Sequence, residues 1–187
     1  MKTKNSNRAL IRKITLVGVL TALATVLSFI QIPFFGFASI SLMLPVVVIG
    51  AALCGPIVGA WLTVIPNLVA FSEAGVFLAE SPAGCIATLL LKGILAGLVT
   101  GFVYKLLSKK HPFIAIICSA TATPVINTGV FVAGCYAFLR GAYGSDGLAV
   151  MMTTLVIPNF TVELILNIIL CPAILRIIQI ARKEKLA

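Results

Sequence analysis

The sequence is poor in the residues that most enzymes use for acid–base and metal chemistry. Only five of its 187 residues are Asp or Glu, one is histidine, and charged residues make up 10%. The histidine, His111, lies beside two lysines, no H-E-x-x-H sequence is present, and no two acids pair within an apolar segment. A G-x-x-x-x-G-K-[ST] phosphate loop is also missing. These absences argue against a hydrolase, a metalloenzyme or an ATPase.

The cysteines do not form a metal-binding or disulfide pattern. Five are present, none in a C-x-x-C spacing, and each lies in or beside an apolar segment: Cys54, Cys85, Cys118, Cys135 and Cys171. Buried cysteines of this kind behave as small hydrophobic residues. We therefore expect neither a metal site nor another cofactor.

Hydrophobic residues dominate what is present, at 60% of the chain with a mean hydropathy of +1.17. Because a spanning helix needs about 20 apolar residues, the chain has room for roughly five to seven such helices and no separate soluble domain. The net charge of +9 comes from short basic flanks, which is typical of a topology signal. We expect a single integral membrane domain, residues 1–187, surrounded by lipid and without a nucleic-acid partner.

The distribution of positive charge decides the number of spans. The apolar block 41–71 is interrupted by Cys54-Gly55-Pro56, and only if it forms two spans do all three basic clusters fall on one side of the membrane. The predicted fold is therefore an all-α, polytopic protein with six transmembrane helices and both termini in the cytoplasm. The predicted helices cover residues 9–32, 41–54, 56–71, 84–107, 112–139 and 148–180.

Two loops are expected on the outer face, over residues 72–83 and 141–147. Together with their flanks they carry Glu73, Glu80, Arg140 and Asp146. Acidic residues commonly occupy non-cytoplasmic loops, but loop 72–83 is long for so small a protein and is a candidate lid.

Five polar residues are predicted to lie at one depth, between the outer third and the middle of the membrane, because a helix rises about 1.5 Å per residue. They are Asn67, Lys92, Asn127, Asn159 and Glu163. Such groups must face the bundle interior, either as a structural network with a Lys92–Glu163 pair or as the wall of a binding cavity. Helix-breaking prolines beside them favour the cavity, whereas Tyr136 is either an interfacial anchor or part of a pocket wall.

Two stripes of small residues indicate close helix packing. Gly93, Gly97 and Gly101 follow Lys92 at four-residue spacing, which lets helix backbones approach closely. A second stripe, on the first helix, consists of Gly18, Thr21, Ala22, Thr25 and Ser28. Its partner helix belongs either to this chain or to another subunit.

With these features the chain resembles the substrate-binding S components of energy-coupling factor (ECF) vitamin transporters along nearly its whole length. The sequence G-V-L-T-A at 18–22 stands where that family has an Ala-x-x-x-Ala docking face, with glycine in place of the first alanine. The other matching segments, in order, are S-L-M-L-P at 41–45, residues 50–59, residues 92–101 and P-V-I-N-T-G-V-F at 124–131.

The resemblance implies a non-enzymatic subunit in a prokaryotic plasma membrane. Such a subunit captures a vitamin or related micronutrient and docks, here through Gly18, Thr21, Ala22 and Thr25, on a transmembrane coupling subunit with two ATPase subunits. The family's binding site maps onto Lys92, Asn127, Tyr136, Arg140, Asn159 and Glu163, with Asn67 and Glu80 as further candidates. Pantothenate, folate and riboflavin all remain possible substrates. The alternatives are a standalone transporter coupled to protons through Glu163 and a non-catalytic scaffold.

Overall fold

The chain folds into a bundle of helices with one short β-hairpin. The computed structural model describes residues 2–29, 31–34, 38–71 and 75–184. The helices are α1 (Lys2–Phe29), α2 (Met43–Cys54), α3 (Pro56–Phe71), α4 (Gly75–Glu80), α5 (Pro82–Leu107), α6 (Pro112–Met151) and α7 (Ile157–Glu184), with a π-helical turn at Met152–Val156 between the last two. The strands are β1 (Gln31–Phe34) and β2 (Ala38–Ser41).

The hairpin is the main departure from the expected all-α fold. The first helix was predicted to run to residue 32, but it ends at Phe29 and β1 begins at Gln31. A proline disfavours helical backbone at the residue before it, so Ile32, which precedes Pro33, is extended. In the antiparallel register Ile32 lies opposite Ile40 and Pro33 opposite Ser39. Ser41 is therefore a strand residue, not the first residue of the second helix as predicted.

A sharp turn separates α2 from α3. Gly55 joins them with φ of +101°, a backbone conformation that residues with a Cβ rarely adopt. Pro56 then begins α3, where its missing N–H costs nothing. We call this side of the bundle the Gly55 end, and the opposite side, where α4 lies, the α4 end.

The glycine stripe of α5 packs directly on α3, as its spacing predicts. A Cβ added at Gly97 would collide with the backbone of Gly59, and one added at Gly101 with Pro56. At Gly93 the obstacle is the side chain of Asn67. Helices α3 and α5 are thus antiparallel neighbours whose backbones touch because the side chains between them are absent.

Both predicted outer loops contain helix. Residues 75–80 form α4, and residues 72–74, including Glu73, lie outside the described part of the chain. Residues 141–147 continue α6, with Gly144 at φ of +68° as the one non-helical residue inside that element. Only a glycine tolerates this conformation readily. The chain was predicted to change direction over the whole loop 141–147, but the non-helical backbone is confined to Gly144.

The π-helical turn that follows lies just before Pro158, which has no N–H to donate to a carbonyl one turn earlier. The hydroxyls of Thr153 and Thr154 donate to carbonyls of the preceding turn, those of Ala149 and Val150. Such π-turns are often found at functional sites.

The Gly55 end is closed by apolar packing and a satisfied polar network. Val48, Ile116 and Cys171 bring α2, α6 and α7 together. Between α5 and α6, the Thr100 and Thr123 hydroxyls lie 2.7 Å apart, and Ser119 donates to the Thr100 carbonyl at 3.3 Å. These hydroxyls therefore stabilise the helix contact without leaving a polar atom unpaired.

Three helical segments of the described chain are long and apolar enough to cross a membrane: Leu10–Phe29, Pro82–Leu107 and Pro112–Arg176. The third has 65 residues, about three times the length that a single span needs. Helices α2 and α3 are also apolar but shorter.

Candidate functional site

The centre of the candidate site is an oppositely charged pair, Lys92 on α5 and Glu163 on α7. Glu163 is 4% exposed and Lys92 is half-buried. The two charges attract each other. Within the described residues α5 and α7 share at most a few close backbone contacts, because α2 and α6 pack against both. The two opposite charges therefore lie on different helices and are close enough to interact in the interior of the bundle.

Helix α7 presents a row of polar side chains at four-residue spacing. Asn159 donates from Nδ2 to Glu163 Oε1 at 3.5 Å, and Asn167 donates to the Glu163 backbone carbonyl at 2.9 Å. One turn further, the Cys171 thiol lies 3.7 Å from Asn167 Oδ1. The row ends at Cys171, which belongs to the apolar cluster at the Gly55 end.

Two polar atoms lie one turn nearer the α4 end than the charged pair and have no hydrogen-bond partner in the described protein. They are Thr88 Oγ1 on α5 and Asn159 Oδ1 on α7. Thr88 is 2% exposed. A buried polar atom left unpaired costs about 1–3 kcal/mol, so native proteins keep few of them, often at functional positions. We call Thr88, Lys92, Asn159 and Glu163 the polar layer.

Aromatic rings cover the polar layer at the α4 end. The Lys92 ammonium lies 5.2 Å from the ring centroid of Phe131 on α6, within the range of a cation–π interaction. Phe77 on α4 meets Phe131 edge to face, with 6.4 Å between centroids. Buried residues Cys85, Leu89, Cys135, Leu139 and Leu148 complete this cluster. Helix α4 therefore lies over the charged pair with an aromatic ring between them.

The other predicted site residues are placed differently. Asn67 is 3% exposed and lies against Gly93, and its Nδ2 has no hydrogen-bond partner among the described side chains. It lines a cavity of about 180 Å³ between α3 and α5, whose other walls include the exposed Leu68 and Ile86. Asn127 is half-buried. Glu80, Tyr136 and Arg140 are exposed residues at the α4 end.

The predicted docking stripe is divided between two environments. Thr21 and Thr25 are half-buried, and their hydroxyls donate to carbonyls of their own helix at 2.8 Å. Gly18 and Ala22 are exposed, and nothing lies within 4 Å of a Cβ added at Gly18. The opposite side of α1 packs on α2 and α3 through Leu20 and Ala24. The Gly18–Ala22 surface is thus not used by a helix of the described chain.

Sequence reasoning missed Thr88 and Asn167. Each lies four residues from a charged residue that was identified, Thr88 before Lys92 and Asn167 after Glu163, so helical periodicity points to both. No sequence pattern pointed to Phe77 as a site residue, because its segment was predicted to be a loop. Among the described residues, no three His, Cys, Asp or Glu side chains are arranged to hold a metal ion.

Apolar helices around a buried charged pair and unpartnered polar atoms define a membrane-embedded protein with a polar interior. The sequence matches the family described as ECF transporter, substrate-specific component, over residues 12–175. The chain belongs to this family, which confirms the resemblance seen in its motifs. Members of the family are transporter subunits. No curated protein and no solved structure matches the chain.

Proposed function

We propose that this chain is the high-affinity, substrate-capturing subunit of an ATP-driven ECF importer for a vitamin or a related micronutrient. The observation that carries the proposal is the polar layer. It holds a charged pair and two unpartnered polar atoms inside apolar helices, where each is costly unless it serves a ligand or a structural partner. The chain acts in binding and not in catalysis.

The substrate is proposed to enter from the α4 end. Lys92, Asn159 and Glu163 form its main contacts, and α4 covers them through Phe77 and Phe131. Asn67 and Asn127 lie at the sides of the site, whereas Tyr136, Arg140 and Glu80 are exposed at its entrance and contribute to first encounter. Closure at the Gly55 end keeps the captured molecule from passing through the isolated subunit.

The proposed topology has six membrane-spanning helices, with the α4 end outside and both termini in the cytoplasm of a prokaryotic cell. The 65-residue apolar segment supports two spans that reverse near Gly144. The basic residues Lys105, Lys109 and Lys110 then share the cytoplasmic side with the N-terminus. A membrane-impermeant thiol reagent applied to cells should label Glu80→Cys and not Lys109→Cys, and the reverse result would overturn this orientation.

The energy for import is proposed to come from partner subunits. The chain lacks a phosphate loop, so a transmembrane coupling subunit and two ATPase subunits would supply ATP hydrolysis. The exposed Gly18–Ala22 surface fits such a partner, because small residues let a second helix approach closely in lipid. Thr21 and Thr25 border this surface.

Bulky substitutions on α1 test the partnership separately from binding. Gly18→Trp and Ala22→Leu should abolish uptake in cells while the isolated chain keeps its ligand, because the substitutions block docking alone. Gly129→Leu is the matched control, since nothing lies within 4 Å of its Cβ position either, and it should retain uptake. Uptake of labelled substrate and co-purification of the ATPase subunits are the measurements. If the variants lost ligand binding as well as uptake, the assignment of this surface to partner docking would be contradicted.

A further inference from the structure

The polar layer carries no net charge. Every other charged side chain described by the structure is exposed, so Lys92 and Glu163 are the charges that a ligand meets in the interior. In a region of low dielectric constant, a ligand with a net charge would leave an unbalanced charge beside this pair. A ligand without net charge avoids that cost.

The α5 side of the layer offers hydrogen-bond donors. The Lys92 ammonium has three N–H groups and no acceptor. Thr88 lies one turn nearer the α4 end on the same helix face, and its hydroxyl is buried without a partner in the part of the chain that the structure describes. An acceptor on the ligand, such as a carbonyl oxygen, would satisfy both groups at once.

The α7 side offers acceptors. Glu163 accepts from Asn159 Nδ2, and an ionised carboxylate has further acceptor positions. One N–H of the Asn159 amide is used there, and the amide oxygen Oδ1 has no partner in the described protein, so it is available as an acceptor. A donor on the ligand, such as an amide N–H or a hydroxyl, is needed on this side.

We infer that the site selects a molecule without net charge that presents acceptors toward Thr88 and Lys92 and donors toward Asn159 and Glu163. Neutral amides, imides and zwitterions fit this description, whereas dianions and simple cations do not. The inference rests on the proposed capturing function and narrows its substrate class.

Pairs of probes that differ only in charge test this inference on the ligand-free full chain in detergent. Suitable pairs are nicotinamide with nicotinate, pantothenol with pantothenate, and biotinamide with biotin, with affinities measured by calorimetry at pH 7. In each pair that binds, the neutral member should be at least about tenfold tighter, since an uncompensated buried charge is costly. In Glu163→Gln, which keeps the side-chain shape but leaves Lys92 unbalanced, the preference should move toward the anion.

A hydroxyl deletion tests the donor side. Thr88→Val keeps the side-chain shape, and it should weaken the neutral probe by about five- to tenfold through loss of one hydrogen bond. Thr153→Val is the matched control, because that hydroxyl is exposed and bonds to its own helix. Unchanged affinity in Thr88→Val would remove Thr88 from the recognition site.

The outcomes separate the inference from the function on which it rests. Equal or tighter binding of the anions by the unmodified chain overturns the inference and leaves the capturing function standing. If no probe binds, mass spectrometry of molecules that co-purify with the chain decides: a net-neutral molecule supports the inference, and a charged one overturns it. If nothing binds and nothing co-purifies, the capturing function fails and the inference fails with it.

Discussion

The two ends of the bundle use similar residues in opposite ways. At the Gly55 end, the Thr100 and Thr123 hydroxyls lie 2.7 Å apart across a helix contact, so one donates to the other, and the accepting hydroxyl donates to a carbonyl of its own helix. At the α4 end, Thr88 is also buried on the same helix as Thr100, but its hydroxyl has no hydrogen-bond partner among the described residues. The same side chain is thus satisfied in one half of α5 and unsatisfied in the other.

Whether a buried polar group is hydrogen-bonded distinguishes a stabilising residue from a candidate binding residue better than its polarity does. A buried threonine in a membrane helix is not in itself a sign of a site, because it readily bonds to a carbonyl of its own helix. What distinguishes the α4 end is unpaired hydrogen-bonding capacity beside a charged pair. Among the described residues, the buried threonines that α5 contributes are hydrogen-bonded at Thr100, near the Gly55 end, and unpaired at Thr88, near the α4 end.

The largest effect should come from filling the helix contact near the Gly55 end. Gly97→Leu places a side chain against the Gly59 backbone, which cannot move aside as a flexible side chain can. We expect a loss of about 3 kcal/mol in stability, the upper part of the usual range for overpacking. Thermal unfolding in detergent measures it. Gly129→Leu, which enters open space, is the control, and an equal loss there would show that the effect is not one of packing.

A smaller effect is expected from breaking the charged pair at the α4 end. Lys92→Met leaves the Glu163 charge buried without its counter-ion, at a cost of about 2 kcal/mol, less than for a fully enclosed pair because Lys92 is half-buried. The double variant Lys92→Met/Glu163→Gln should recover most of this stability but not ligand binding. Recovery of binding as well would mean that the pair is only structural.

Much of the framework was predictable because it follows from single residues with strong local effects. The break at Gly55, the close approach at Gly97 and Gly101, and the interior position of Glu163 all follow from backbone freedom, absence of a Cβ, or the cost of charge in lipid. The family match, over residues 12–175, includes all of these positions.

The remaining features depend on distant contacts that no local pattern encodes. The β1–β2 hairpin is a pairing of two short segments, and helix α4 is stabilised where Phe77 meets Phe131. Depth along each helix was predicted, but depth alone did not tell which residues face one another. The family resemblance assigned Tyr136 and Arg140 to the binding site, and their exposure depends on the rotation of α6, which no local pattern encodes.

The smallest effect is expected from a comparison of two Thr→Val substitutions, each of which removes one hydroxyl group. Thr123→Val removes a hydroxyl that bonds to Thr100 at 2.7 Å, so stability should fall by about 1 kcal/mol while ligand affinity is unchanged. Thr88→Val removes a hydroxyl without a partner in the described protein, so ligand-free stability should stay the same or rise slightly. Thermal unfolding without ligand, followed by calorimetry with it, separates the two effects. If both variants lose stability equally, Thr88 has a structural partner, and the contrast between the two ends of α5 disappears.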